Sequence, residues 1–243
     1  MDVVTWQADG VSSTDSVAAA GSMSGAQLRD GYQEAVRKMT LGLARYNDGV
    51  LVIGPWKLLR LGKPTITRTS VDWPIEGGLL AERGGHWRIQ ARGGRVEATM
   101  TGLRPRLPRA VYAVSHLQVH LLFTRLFLLR LHGREPLPGT PAPRPDRVSA
   151  ATVDAAMCLA LARFAGGRRL KSILAIAAIY HVACWTVSGR TLGGAVMRQR
   201  VVAVDGSPLT PQQSMLRLVL LPLAWVTWRP LHDRIAGTEV IID

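Results

Sequence analysis

Residues 148–189 read VSAATVDAAMCLALARFAGGRRLKSILAIAAIYHVACWTVSG, and the reading of that stretch decides the fold. Across residues 148–167 the only charged residues are Asp154 and Arg163, and the long Arg163 stem lets its charge reach an interface. Residues 172–189 form an 18-residue stretch without Asp, Glu, Lys or Arg. Trp185 stands near one end, where an amphipathic ring suits the headgroup level of a bilayer. The intervening GGRRLK is short, so the two stretches are expected to pair as an antiparallel helical hairpin crossing a membrane. A third apolar stretch, residues 218–228, is charge-free for only 11 residues and contains Pro222, which suits a re-entrant or interfacial helix.

Beyond the hairpin, residues 190–206 carry a strand-like run, Arg200 to Val204, and an Asp205-Gly206 turn signal, and GTEVIID is a second strand-like run. The two are expected to pair outside the bilayer, where each satisfies backbone groups of the other. On the other side, GREPLPGTPAPRPDR (residues 133–147) holds five prolines and two glycines, the composition of a linker. Residues 111–130 read as an unbroken apolar helix. Its charge-free run stops at 14 residues, so packing on strands or lying at a membrane surface is favoured over crossing. Between residues 50 and 100, short β-prone runs are split by Gly-Gly pairs, and from residue 78 the connections suit only an antiparallel meander. Residues 26–45 repeat apolar positions at three- and four-residue steps and read as a helix of about five turns. Residues 1–25, rich in Ser, Ala, Gly and Asp, are expected to be a disordered tail and carry no secretory signal.

Composition supports this division. The chain has 243 residues, 47% hydrophobic and 19% charged, enough apolar material to exclude wholesale disorder. Thirty Lys and Arg against 17 Asp and Glu give a net charge of +13, which implies an acidic partner. A positive mean hydropathy of +0.12 points to anionic lipid rather than nucleic acid. Arginines interleaved with aromatics between residues 83 and 109 keep nucleic-acid binding by the N-terminal half as an alternative. Cys158 and Cys184 form neither a disulfide framework nor a CxxC metal site. His116 and His120 lie at i and i+4, but no third ligand is evident and Leu117 stands where a metalloprotease needs Glu. No P-loop, GxGxxG or GxSxG signature occurs, so no enzyme activity and no cofactor are expected.

Three ordered motifs carry a resemblance. Arg147, Ala150 and Asp154 form R-x-x-A-x-x-x-D at the head of the first expected span. GRTLGGAVMRQRVVAVDG, from Gly189, Arg190 and Thr191 through Asp205, is the second; His232-Asp233 followed by Ala236-Gly237-Thr238 is the third. Together they resemble the RDD family of membrane proteins, with Gly194 where that family commonly has lysine and Gln199 where it has leucine. The resemblance implies a helical membrane domain, and proton-coupled cation antiport has been proposed for some of the family's members.

Depth arithmetic adds candidate residues. Measured from Arg169 as the hairpin tip, Asp154 is 15 residues away and His181 is 12, so the two fall at similar depth. A buried ionisable group needs a partner. Asp154 and His181 therefore form either a proton-titratable pair or two separate structural anchors. Arg147 and Arg190 come out level at the opposite interface, where they are expected to hold phosphates or Asp233. Basic residues number eight on the linker and post-hairpin sides, Arg217 among them, and three at the tip, which favours cytoplasmic termini.

The expected architecture is thus a helical membrane domain at residues 148–243, a two-span hairpin plus a third re-entrant or interfacial helix. It is joined by residues 133–147 to a soluble basic α+β domain at residues 26–132. The expected role is a multi-pass cell-membrane accessory or scaffold with a cytoplasmic N-terminal domain. Its partners would be anionic lipids and a homo-oligomer or membrane protein, and cation/proton antiport by an oligomer is the alternative.

Overall fold

The computed structural model describes every residue except 1–2, 8–9, 20, 48, 165–169 and 228. The chain divides into two compact units, Met1–His132 and Gly133–Asp243. The first contains β1 (Val3–Gln7), β2 (Gly10–Ala18), α1 (Gly25–Met39), β3 (Ala44–Asn47), β4 (Val50–Ile53), β5 (Trp56–Leu61), β6 (Thr65–Ile66), β7 (Ser70–Gly77), β8 (His86–Arg92), β9 (Arg95–Leu103), α2 (Arg109–Val114) and α3 (His116–His132). The strands form one antiparallel sheet in the order β1-β2-β9-β8-β7-β5-β4-β3, with β6 paired to β7. The expected meander is there: β8 and β9 meet around the Gly93-Gly94 turn, from Arg92 opposite Arg95 to His86 opposite Thr101.

Period-two alternation puts Val71, Trp73, Ile75, Trp87, Ile89, Val96, Ala98 and Met100 on the helix-covered face. Tyr32 of α1 is the aromatic hub of this core, with ring centroids 5.4 Å from Trp73, 5.7 Å from Phe127 and 5.9 Å from Trp87. The apolar helix at residues 111–130 packs on the strands, as favoured. It burdens the sheet with Leu117, Leu121, Phe127 and Leu128 against β2 and β9. His116 and His120 part company there: the His116 ring meets Tyr112, whereas His120 Nε2 lies 3.3 Å from Ser13 Oγ and burial pushes its pKa down to about 4.

Two expectations are corrected in this unit. The supposed tail at residues 1–25 carries β1 and β2 and the Ser24 N-cap of α1. The inward positions of β2 are Val11, Ser13, Asp15 and Val17, so two of four core-facing residues are polar and hydropathy alternation is silent. Asp15 is buried because Arg125 comes to it, Oδ2 to Nη1 at 3.6 Å. The helix expected to reach residue 45 ends at Met39. Thr40 Oγ1 bonds back to the Val36 carbonyl, and Leu41 and Gly42 take positive φ, turning the chain into β3.

The second unit contains α4 (Arg144–Phe164), α5 (Leu170–Val187), α6 (Leu192–Val196), β10 (Gln199–Ala203), α7 (Pro211–Thr227), α8 (Leu231–Ala236) and β11 (Thr238–Ile242). Helix α4 packs on α5 and α6, and α5 on α7. The two strand-like runs pair antiparallel, Gln199 opposite Ile242 through Ala203 opposite Thr238. The tip of the hairpin, with Arg168 and Arg169, lies outside the described residues.

The proline-rich stretch is more than a linker. Its second half runs beside β11, with Ala142 N–H donating to the Val240 carbonyl (2.8 Å) and Ile242 N–H to the Thr140 carbonyl (2.9 Å). Ala142 joins Trp185, Val201, Leu209 and Val240 in one apolar cluster, and α4 already begins at Arg144. Proline lacks a donor but keeps its carbonyl and extended φ, so such a run serves a strand edge.

Candidate functional site

Helices α4, α5 and α7 turn large apolar side chains outward, and α4 and α7 bury polar ones. Helix α4 buries Ala150, Asp154, Cys158 and Ala162, a stripe at four-residue steps, and exposes Val148, Leu159, Leu161 and Phe164. Helix α7 buries Gln213, Ser214 and Arg217 and exposes Met215, Val219 and Val226. Helix α5 buries Trp185 alone and exposes Leu174, Ile179 and Val187. Among the described residues, two helical stretches are long and apolar enough to cross a membrane: Arg109–His132, whose apolar side is spent on the sheet, and α5. Helix α4, the first expected span, is not one of them, because its alanines, Asp154 and Arg163 dilute it.

Inside this shell lie two polar centres. The first is built on Asp154 at mid-α4, 5% exposed. Its Oδ1 accepts from Tyr180 Oη on α5 and from the Gly193 N–H at the start of α6, both at 2.8 Å, while Tyr180 Oη accepts from Leu192 N–H at 2.7 Å. A carboxylate thus binds two orphan N–H groups of a helix start, one directly and one through a phenol. Thr191 caps the same turn, its Oγ1 accepting from Gly194 N–H at 3.0 Å. Gly193 is required by contact: a Cβ there would lie 2.0 Å from the Ala150 carbonyl oxygen. Gly189 is required by conformation, with φ +72° and its carbonyl receiving Val201 N–H at 2.8 Å.

Depth arithmetic left Asp154 and His181 as either a pair or two separate anchors; in the structure they are separate, and Asp154 meets Tyr180, the neighbour of His181. His181 Nδ1 instead meets the Ala177 carbonyl at 2.8 Å, and its ring packs edge-on against Tyr180 and Trp185. Residues 180 and 181 differ by one step along the axis but by about 100° around it, so depth alone does not separate them. The spacing that brings Asp154 level with α5 was legible; the facing residue was not.

The second centre is Asp233 at the start of α8, 1% exposed. Its carboxylate accepts from the guanidinium of Arg147 on α4 and that of Arg217 on α7, and Thr238 Oγ1 donates to it at 2.8 Å. Arg217 also donates to Thr238 Oγ1 at 3.0 Å and stacks over the Trp185 ring at 4.8 Å. Arg134 closes the outer side, bonding the Asp233 carbonyl at 3.1 Å and Glu239 at 3.0 Å. His232 is buried, and burial first, then Arg217 and Arg147, push its pKa down to about 3, so it is neutral. Arg147 therefore reaches Asp233 as the sequence suggested. Arg190 does not; with Arg200 it holds Asp243, at 2.8 and 3.0 Å. Asp205 makes a turn, accepting from Ser207 N–H and Oγ.

Sequence reasoning missed Tyr180, Gly193, Gln213 and Thr238. Thr238 lies inside the quoted A-G-T motif, so the motif signalled it without a role. Gln213, fully buried and bonded to the Ala236 carbonyl at 3.1 Å, lay just ahead of the apolar run and had no such signal.

Arg147, Asp154 and Asp233 are one arginine and two aspartates, each at the centre of the contacts just described. Residues 141–236 match the RDD family. The C-terminal part of the chain is thus an RDD-family domain, of a membrane-associated family. In it the three motifs supply the two polar centres: the first gives Asp154 to one and Arg147 to the other, the second gives the α6 start bound by Asp154, and the third gives Asp233 and Thr238. No curated protein and no solved structure matches the chain.

Proposed function

We propose that the protein is a non-enzymatic, membrane-anchored accessory or scaffold. In this reading the RDD domain sits in the bilayer through α4 and α5, with α7 as a re-entrant or interfacial helix. The N-terminal sheet domain stands on the cytoplasmic side. The observation that carries the reading is the inverted polarity of the RDD domain. Leu174 and Ile179 on α5 and Val219 and Val226 on α7 face outward while Asp154, Gln213, Ser214 and Arg217 face inward. An outward apolar sheath is stable only where the surroundings are hydrocarbon or another apolar surface.

The orientation rests on the excess of arginine on the linker and post-hairpin sides. Proton exchange by an oligomer is the competing reading, and the geometry of Asp154 weighs against it. A carboxylate that already accepts from Tyr180 and Gly193 is committed to joining α4, α5 and α6, and its release would undock α6. Proteoliposomes of the full chain are therefore expected to show no proton movement driven by a sodium or potassium gradient above that of protein-free vesicles, followed with a pH-sensitive dye. A gradient-driven flux in the wild type that Asp154→Asn abolishes would replace the scaffold reading with the exchanger.

A further inference from the structure

The first unit carries an apolar, basic-rimmed tip. β3 and β4 pair with Ala44 opposite Ile53, and β4 and β5 with Ile53 opposite Trp56, so residues 40–43 and the Gly54-Pro55 turn lie at the same end of the sheet. Leu79 N–H donates to the Lys57 carbonyl at 3.1 Å and brings a third segment there. The large apolar side chains at this end point into solvent: Leu41 is 91% exposed, Leu43 70%, Trp56 61% and Leu79 58%. Nothing in the core asks for them. The turn that presents Leu41 even holds it at φ +53°, a conformation that a bulky residue adopts at a cost.

Cationic side chains flank the tip. Arg37 and Arg45 line a groove of about 360 Å³ with Gln33 and Tyr46, and Lys57 follows Trp56. At Gln33 and Tyr46 the groove meets a larger cleft that is of mixed charge, lined by Arg29, Arg60 and Lys63 and by Asp30 and Glu76, so the cations that serve the tip are Arg37, Arg45 and Lys57. Leucines and a tryptophan at loop tips, with a rim of arginine and lysine behind them, match the layering of a bilayer surface: acyl chains, then glycerol and headgroup phosphate.

We infer that this tip is a second, peripheral membrane contact, in which Leu41, Leu43 and Trp56 enter the surface of an anionic phospholipid bilayer and Arg37 and Arg45 hold headgroup phosphate. The inference deepens the anchor reading and rests on it, because a protein held at the bilayer by its RDD domain meets that surface at high effective concentration. The contact lays the sheet domain against the membrane instead of leaving it on a free tether. Each cation at the surface strengthens such a contact about fivefold.

The test is site-specific photo-crosslinking to lipid in the full chain, reconstituted into phosphatidylcholine vesicles with or without phosphatidylglycerol. A diazirine amino acid stands in turn at Leu41, Trp56, Ile179 on α5 and Arg92 at the opposite end of the sheet, and adducts are read by mass spectrometry. Positions 41 and 56 are expected to give phospholipid adducts that fall severalfold without phosphatidylglycerol and in the Arg37→Gln/Arg45→Gln variant. Position 92 is expected to give none, and position 179 to give adducts in both vesicles. Adducts at 179 with none at 41 and 56 overturn the peripheral contact and leave the anchor standing; no adduct at 179 overturns the anchor itself. Equal adducts at 41 and 56 with and without phosphatidylglycerol overturn the phosphate-holding role of the arginines. Adducts to protein at 41 and 56 overturn the lipid assignment.

Discussion

Asp233→Ala is expected to destabilise the RDD domain by about 3–5 kcal/mol, the scale for removing one partner of a buried ion pair. The carboxylate is the common acceptor of Arg147, Arg217 and Thr238, three groups from three elements. Without it two guanidinium groups face each other in a packed interior. The Arg147 side chain is 20% exposed and has a path to water, whereas that of Arg217 is 5% exposed and lies under Trp185. Most of the cost therefore falls on Arg217. Asp233→Leu combined with Arg217→Met is expected to cost less than Asp233→Ala alone, because removing the uncompensated charge matters more than removing the pair. A thiol-reactive fluorogenic dye reads both outcomes in detergent. Its only targets, Cys158 and Cys184, lie in the RDD domain, and Cys158 is buried until that domain opens.

Gly193→Ala is the second large effect, about 3 kcal/mol, read by the same thiol-reactive dye as the detergent-solubilised chain is heated. The added methyl would stand 2.0 Å from the Ala150 carbonyl oxygen, a backbone atom of α4, so α6 must move away and take its N–H out of reach of Asp154. Gly194→Ala next door is the control. Its Cβ would come to 3.0 Å from the Gln199 carbonyl and 3.2 Å from Thr191 Oγ1, contacts that small shifts relieve, and alanine recovers helix propensity. A change within about 1 kcal/mol is expected there. Equal effects at 193 and 194 would mean that α6 is not docked on α4 as described.

What the residues announced and what they withheld divides along a physical line. Long apolar runs, Gly-Gly turns and the β10 and β11 patterns were legible because each is set by local periodicity. Hairpin arithmetic put Arg147 level with Arg190 and offered Asp233 or phosphates as what they hold; Arg147 takes Asp233, whereas Arg190 takes Asp243. The strands at residues 3–18 were not, because a strand that buries Ser13 and Asp15 draws its stability from a partner 110 residues away, Arg125. The end of α1 was misread since Leu43 keeps the helical period after Thr40 and Gly42 have already turned the chain. Tyr180 was not legible because depth along α5 does not distinguish it from His181, and only the direction around the helix decides which side chain faces α4. The role of residues 140–142 was hidden because composition marks the proline-rich run as a linker, and only the position of β11 shows that the Thr140 carbonyl and the Ala142 N–H pair with it.

The account turns on where the apolar outer surfaces of α4, α5 and α7 reside. Alkaline carbonate extraction of membranes carrying the full chain tests this most directly. The intact polypeptide is predicted to stay in the pellet with integral proteins, because no salt or charge titration frees helices held by hydrocarbon. Recovery of the intact chain in the supernatant would contradict the account, since it would mean that Ile179, Val219 and their neighbours are covered by protein and not by lipid.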